Sequence, residues 1–122
     1  AIVSALPVLI DPLSWRKAKT MSRDFFRKRF AQTAPAAEAD QLYDRYIIPT
    51  PGRVYWNGVV NPMKIQWDNP ARAPLPLIGG EFDLIADASM TAAIYEKQKQ
   101  APSKTELRIF ASRSHWTCLD KG

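Results

Sequence analysis

The chain has 122 residues, 46% of them hydrophobic and 24% charged, which suits one folded domain and is too short for two. One cysteine, Cys118, excludes an internal disulfide, and one histidine leaves no His/Cys cluster at metal-ligand spacing, so neither metal nor cofactor is expected. The net charge of +5 is unevenly placed: Arg16, Lys17, Lys19, Arg23, Arg27, Lys28 and Arg29 fall within fourteen residues, with only Asp24 against them.

The opening stretch "AIVSALPVLIDP" has neither a basic leader nor a small-residue cleavage pattern, and no apolar run reaches the length of a membrane span. No targeting segment and no stable membrane insertion are expected, and a reducing cytoplasm is the default location. Residues 1–66 read as helices and loops. "LSWRKAKTMSRDFFRKRF" has apolar residues at mixed three and four spacing, predicting a helix with Trp15, Ala18, Met21, Phe25 and Phe26 inward and the cations on a solvated face. No nucleic-acid-binding motif accompanies the charge, so no nucleic-acid partner is expected.

"TAPAAEADQLYDRYIIP" predicts a second helix, with Thr33 as N-cap, Pro35 near the first turn and Pro49 as its end. "PTPGR" reads as a turn, and "VYWNGVVNPMKIQW" has no clean period, which leaves its structure open.

Residues 67–122 have a sharper rhythm. After the loop "WDNPARAP", "LPLIGG" suits a strand buried on both faces. "DASMTAAIYEKQKQAP" predicts a helix with Asp87 as N-cap, Met90, Ala93 and Ile94 on one face, and lysines in its last turns. "KTELRIF" predicts a second strand, alternating at Leu107 and Ile109. Strand, helix and strand imply a parallel pair with a right-handed crossover. Both strands then end at one sheet edge, the edge where open α/β sheets hold their ligands, and Asp83 and His115 lie in the two loops that emerge there. A carboxylate beside an imidazole holds its tautomer and stabilises the imidazolium, which is two thirds of a catalytic triad.

"APLPLIGGEFDLIADASM" followed by "TELRIFASRSHW" resembles the C-terminal part of α/β-hydrolases, where a Gly-x-x-Asp carries the triad acid and a strand ending in Ser-His carries the base. Gly80, Glu81, Phe82 and Asp83 match the first motif, and Ser114 with His115 the second. "LPVLIDPLSWRKAKTMSRDFFRKRFAQTAPAAEADQLYDRYIIPTPGR" is similar, more weakly, to the helical lid that many such hydrolases carry. The resemblance implies an α/β class and a partial α/β-hydrolase fold: a lid segment over 1–66, then a parallel strand-helix-strand part of the core over 67–122. It also implies an esterase- or lipase-like serine hydrolase acting on a small-molecule ester, with Asp83 as acid and His115 as base.

The departures from the family pattern are specific. Ala86 and Asp87 stand where Val-Pro is common, Ser112 where glycine is frequent, and the Gly-x-Ser-x-Gly nucleophile elbow occurs nowhere among the five glycines. By the family's order of nucleophile, acid and base, the elbow is expected upstream of Ala1, in a missing N-terminal half. The family's last helix is expected to begin near "CLDKG". A parallel pair without cover on both faces also leads us to expect a partner, that missing half or a second copy, and little activity or stability alone.

Each residue has a plainer alternative. Asp83 would cap a turn, His115 would be a loop histidine, and Asp87 suits an N-cap better than a catalytic group. Trp15, Phe25, Phe26, Tyr43, Tyr46, Trp56 and Trp116 could line an acyl pocket or simply pack a core, and Cys118 suits a small buried site. A non-catalytic remnant or partner-binding subunit, and a basic protein meeting anionic membrane or nucleic acid through 16–29, are the competing functions.

Overall fold

The structure, a computed structural model, describes residues 2–61 and 63–119. In chain order it contains α1 (Ile2–Leu9), a 3-10 turn (Pro12–Arg16), β1 (Ala18–Lys19), α2 (Arg23–Phe25) running into a π-helical turn (Phe26–Phe30), and α3 (Ala36–Tyr46). Then come β2 (Thr50–Pro51), α4 (Arg53–Val60), β3 (Leu75–Gly80), α5 (Ala88–Gln98) and β4 (Thr105–Phe110). The chain is mixed α/β, with a two-stranded antiparallel sheet of β1 and β2 and a two-stranded parallel sheet of β3 and β4.

The helix expected over residues 13–30 is broken into pieces, and local capping is the reason. Asp11 accepts the Leu13 N–H at 3.0 Å and Pro12 follows it, which fits a short 3-10 turn. The chain then extends to pair Ala18 and Lys19 with Pro51 and Thr50. Ser22 starts a new helix by accepting the Phe25 N–H at 3.2 Å. Trp15 and Ala18, expected inward, are therefore exposed, while Phe26 is fully buried. Pro35, not Thr33, occupies the N-cap position of α3, because its fixed φ of −55° and extended ψ lead directly into the helix. The stretch left open after "PTPGR" begins with helix α4.

One hydrophobic core and one hydrogen-bonded corner organise the first part of the chain. Phe26, Ala31 and Ala39 are buried together, with Met21, Phe30, Leu42, Tyr43, Ile47 and Trp116 packed around them. Near α1 and α4, the buried Ser14 hydroxyl donates to the Val8 carbonyl at 2.7 Å and accepts from Trp56 Nε1 at 2.8 Å. Gly52 closes that corner, since a Cβ there would stand 2.2 Å from the Ser14 carbonyl oxygen.

In the second part, β3 and β4 pair parallel and in register from Leu75↔Thr105 to Gly80↔Phe110, with α5 as the connection. Asp87 caps α5 by accepting the Met90 N–H at 2.9 Å. The helix seats Thr91, rather than the expected Met90, Ala93 and Ile94, as its buried residue. Gly79 permits this: a Cβ there would lie 3.2 Å from Thr91 Oγ1 and 3.0 Å from the Ile109 side chain. Arg72 stitches the loop before β3 to both neighbours, donating to Gln98 O at 3.2 Å and to Thr105 Oγ1 at 2.7 Å.

The strand expected to be buried on both faces is covered on one. Leu75 and Leu77 are half-buried on the α5 side, whereas Ile78 is 55% exposed and Phe110 41% on the opposite face. A single crossover helix can cover only one side of a parallel sheet. Residues 120–122, near the expected start of a further helix, lie outside the described residues. No helix among the described residues is long and apolar enough to cross a membrane.

Candidate active site

The strands of the parallel pair end at Gly80 and Phe110, and the loops beyond them remain laced together. The Glu81 N–H donates to Phe110 O at 2.9 Å and the Phe82 N–H to Arg113 O at 2.8 Å, so the ladder continues past the strand ends. Gly80 makes that approach possible. A Cβ at residue 80 would stand 2.4 Å from the carbonyl oxygens of both Arg113 and Ser114.

Within this lacing Asp83 turns its carboxylate to His115. The imidazole Nδ1–H donates to Asp83 Oδ2 at 2.8 Å, and Asp83 Oδ1 accepts the N–H groups of Ile85 at 2.7 Å and Ala86 at 2.9 Å. The carboxylate, 6% exposed, thus meets three donors and is fixed in place. His115, 32% exposed, keeps one side open. With Nδ1 committed to a carboxylate, Nε2 is the basic nitrogen, and this is the tautomer that general-base catalysis uses.

Ser112 adopts φ 56°, the left-handed conformation that glycine favours. On the next turn, Ser114 is fully buried and its hydroxyl accepts the Trp116 N–H at 3.2 Å. The Ser114 carbonyl accepts the Thr117 hydroxyl at 2.7 Å, closing the turn that presents His115.

Of the remaining expected pocket residues, Phe26, Tyr43, Tyr46 and Trp116 form one aromatic cluster beside the dyad. The Phe26 ring meets Tyr43 at 5.7 Å and Trp116 at 5.5 Å, both edge-on, and Tyr46 lies 5.7 Å from Trp116. The Tyr43 hydroxyl donates to Met21 O at 2.6 Å, which anchors that ring. Phe25 points elsewhere, into a cleft of about 120 Å³ lined by Val8, Lys19, Met21 and Tyr55 among others. Trp15 lies under the Arg53 guanidinium, and Trp56 is held by Ser14. Cys118, expected to be buried, is exposed, because it lies in the turn beyond Trp116.

Two residues that sequence reasoning did not single out touch the site. The Phe30 ring stands perpendicular to the His115 imidazole with centroids 4.7 Å apart, and Gln32 Nε2 donates to Phe82 O. No local sequence signal marks either one, since both contacts join segments far apart in the chain.

Four of the seven cations in the basic cluster have acidic partners among the described residues. Lys19 pairs with Asp11, Arg23 with Asp40 and Asp44, Arg27 with Asp40, and Lys28 with Asp24. Three of these acids lie outside residues 16–29, so the excess of cations in the sequence overstates the local field. No family model, curated protein or solved structure matches this chain.

Proposed function

We propose that this chain carries the acid and base of an α/β-hydrolase, most simply a serine carboxylic-ester hydrolase, with residues 1–66 as its lid segment and 67–122 as part of its core. The observation that carries the reading is the 2.8 Å hydrogen bond between His115 Nδ1 and Asp83 Oδ2 at the carboxyl edge of a parallel pair. The carboxylate is buried and doubly held by backbone, while the ring it orients stays partly open. A purely structural ion pair does not require that asymmetry.

In this reading the nucleophile is a serine outside these 122 residues, since none of the five glycines frames a serine in an elbow. His115 Nε2 takes the hydroxyl proton as the serine oxygen attacks the ester carbonyl, then passes it to the departing alcohol. Water repeats the sequence on the acyl-enzyme and releases the acid. Asp83 keeps the proton on Nδ1 and stabilises the imidazolium between the two transfers.

The test is labelling of the assembled protein with a serine-reactive fluorophosphonate. Labelling that His115→Ala abolishes supports the assignment; an assembly that takes no label and hydrolyses no ester removes it. The missing elbow favours a second reading, a partner-binding subunit of hydrolase ancestry in which the dyad is vestigial. That reading gains if a stable assembly forms and remains unlabelled.

A further inference from the structure

The imidazole of His115 is joined to the chain through Cβ and held at Nδ1 by one hydrogen bond to Asp83, at 2.8 Å. Small coupled changes of its two side-chain torsions would lengthen that bond and shift Nε2, unless a packed neighbour opposes them. The residue that meets the ring at right angles is Phe30, with planes at 83° and centroids 4.7 Å apart. The carbonyl of Phe30 also accepts the Trp116 N–H at 3.2 Å, fixing the backbone just after His115. One residue therefore holds both the ring and the chain that bears it.

The same segment reaches the acid. Gln32 Nε2 donates to Phe82 O, the carbonyl adjoining Asp83. Behind these contacts Phe26 is fully buried, stacks on Phe30 at 5.8 Å and packs edge-on against Trp116. The direction of Phe30 depends on the π-turn, in which the Ala31 N–H bonds to Phe26 O at 3.0 Å. An extra residue in a helical turn rotates the following side chains by about 100°, and such turns recur at functional sites.

We infer that Phe30 is a positioning residue for His115, and that segment 26–32 acts as a latch setting the direction of Nε2 through Phe30 and holding the acid loop through Gln32. The inference rests on the hydrolase reading for its catalytic meaning. Displacement of the latch, by substrate entry or lid movement, would loosen the base while leaving Asp83 within reach of it.

His115 is the sole histidine, so its imidazole resonances are assigned without ambiguity in a ¹⁵N-labelled full chain. The Nδ1–H proton, bonded to the carboxylate, is expected far downfield and protected from solvent exchange. Phe30→Leu should accelerate that exchange about 2- to 12-fold, the factor corresponding to loss of one aromatic pair. It should also introduce the Nε2–H tautomer, while Phe30→Tyr keeps the wild-type signature. Leu42→Ala, a packing control on the same core outside the latch, should lower Tm without changing the tautomer. If Phe30→Leu does not fold, Phe30→Met provides the same comparison with a side chain flexible enough to fill the gap differently. Unchanged tautomer and exchange in a folded Phe30→Leu or Phe30→Met variant would overturn the inference. The imidazole readout needs no turnover, so failure of labelling would remove the hydrolase reading and leave this result to stand or fall separately.

Discussion

The Ser112 N–H donates to the Glu81 carboxylate at 2.9 Å, joining the turn after β4 to the first residue after β3. Ser112 holds φ 56° in that turn, a conformation costing a non-glycine residue about 1–2 kcal/mol. Glycine would remove the strain but give up more backbone entropy on folding. Ser112→Gly should therefore stabilise the chain by roughly 0.5–1 kcal/mol and leave the Asp83–His115 bond in place. Urea unfolding checks this, and a loss of stability would mean that the hydroxyl, not the backbone, matters at residue 112.

Gly80 and Gly58 should respond oppositely to alanine. A Cβ at residue 80 meets two backbone carbonyls at 2.4 Å, and backbone cannot step aside as a flexible side chain does. Gly80→Ala should cost about 1–3 kcal/mol or more and push the histidine loop away from Asp83. At Gly58, within α4, nothing lies within 4 Å of the added carbon, so Gly58→Ala should gain about 0.5–1 kcal/mol of helix stability. Equal effects at the two positions would contradict the packing described at the loop crossing.

These contrasts show which parts of the chain were legible in its sequence. The parallel pair, the α5 cap at Asp87 and the meeting of Asp83 with His115 all follow from short-range signals: an apolar run, a capping carboxylate, and two loops at one sheet edge. Segment 13–30 misled because its three and four spacing suggested one helix, whereas the caps at Asp11 and Ser22 are local bonds that outweigh the period. The placement of Phe30 against His115 depends on a π-turn and on contacts between distant parts of the chain, and periodicity carries neither. The partners of the cations were not legible for a related reason, because Asp40 and Asp44 reach Arg23 and Arg27 only after α3 folds back.

Those ion pairs set the acid response. The Arg27 guanidinium, then Arg23, holds the Asp40 carboxyl below its ordinary value; Lys19 does so for Asp11, the Ser89 hydroxyl and Met90 N–H for Asp87, and Lys104 for Glu106. Each group binds its proton less tightly folded than unfolded. Its stabilisation is complete above the unfolded values, 3.8 for the aspartates and 4.5 for Glu106, and is lost as pH falls through the lower folded values. Tm should be flat across mildly acidic pH and decline below about 4.5, with a smaller decline in high salt because the pairs are exposed. Stability that rises on acidification through this range would show that the pairs are not formed in solution.

Asp83→Asn separates orientation from charge at the dyad. The amide can meet the same backbone N–H groups of Ile85 and Ala86 through its oxygen, so the loop should keep its shape. Its NH₂ would then face Nδ1 and donate to it, which forces the ring proton onto Nε2. A protonated Nε2 cannot accept the proton of a nucleophile. In the assembled enzyme, turnover should fall by about 10⁴-fold near neutral pH, with ester binding nearly unchanged. The imidazole spectrum should show the tautomer switched relative to wild type. An Asp83→Asn variant with wild-type turnover and the Nδ1–H tautomer retained would mean that some group other than Asp83 orients His115, and the acid would have to be sought elsewhere on this sheet edge.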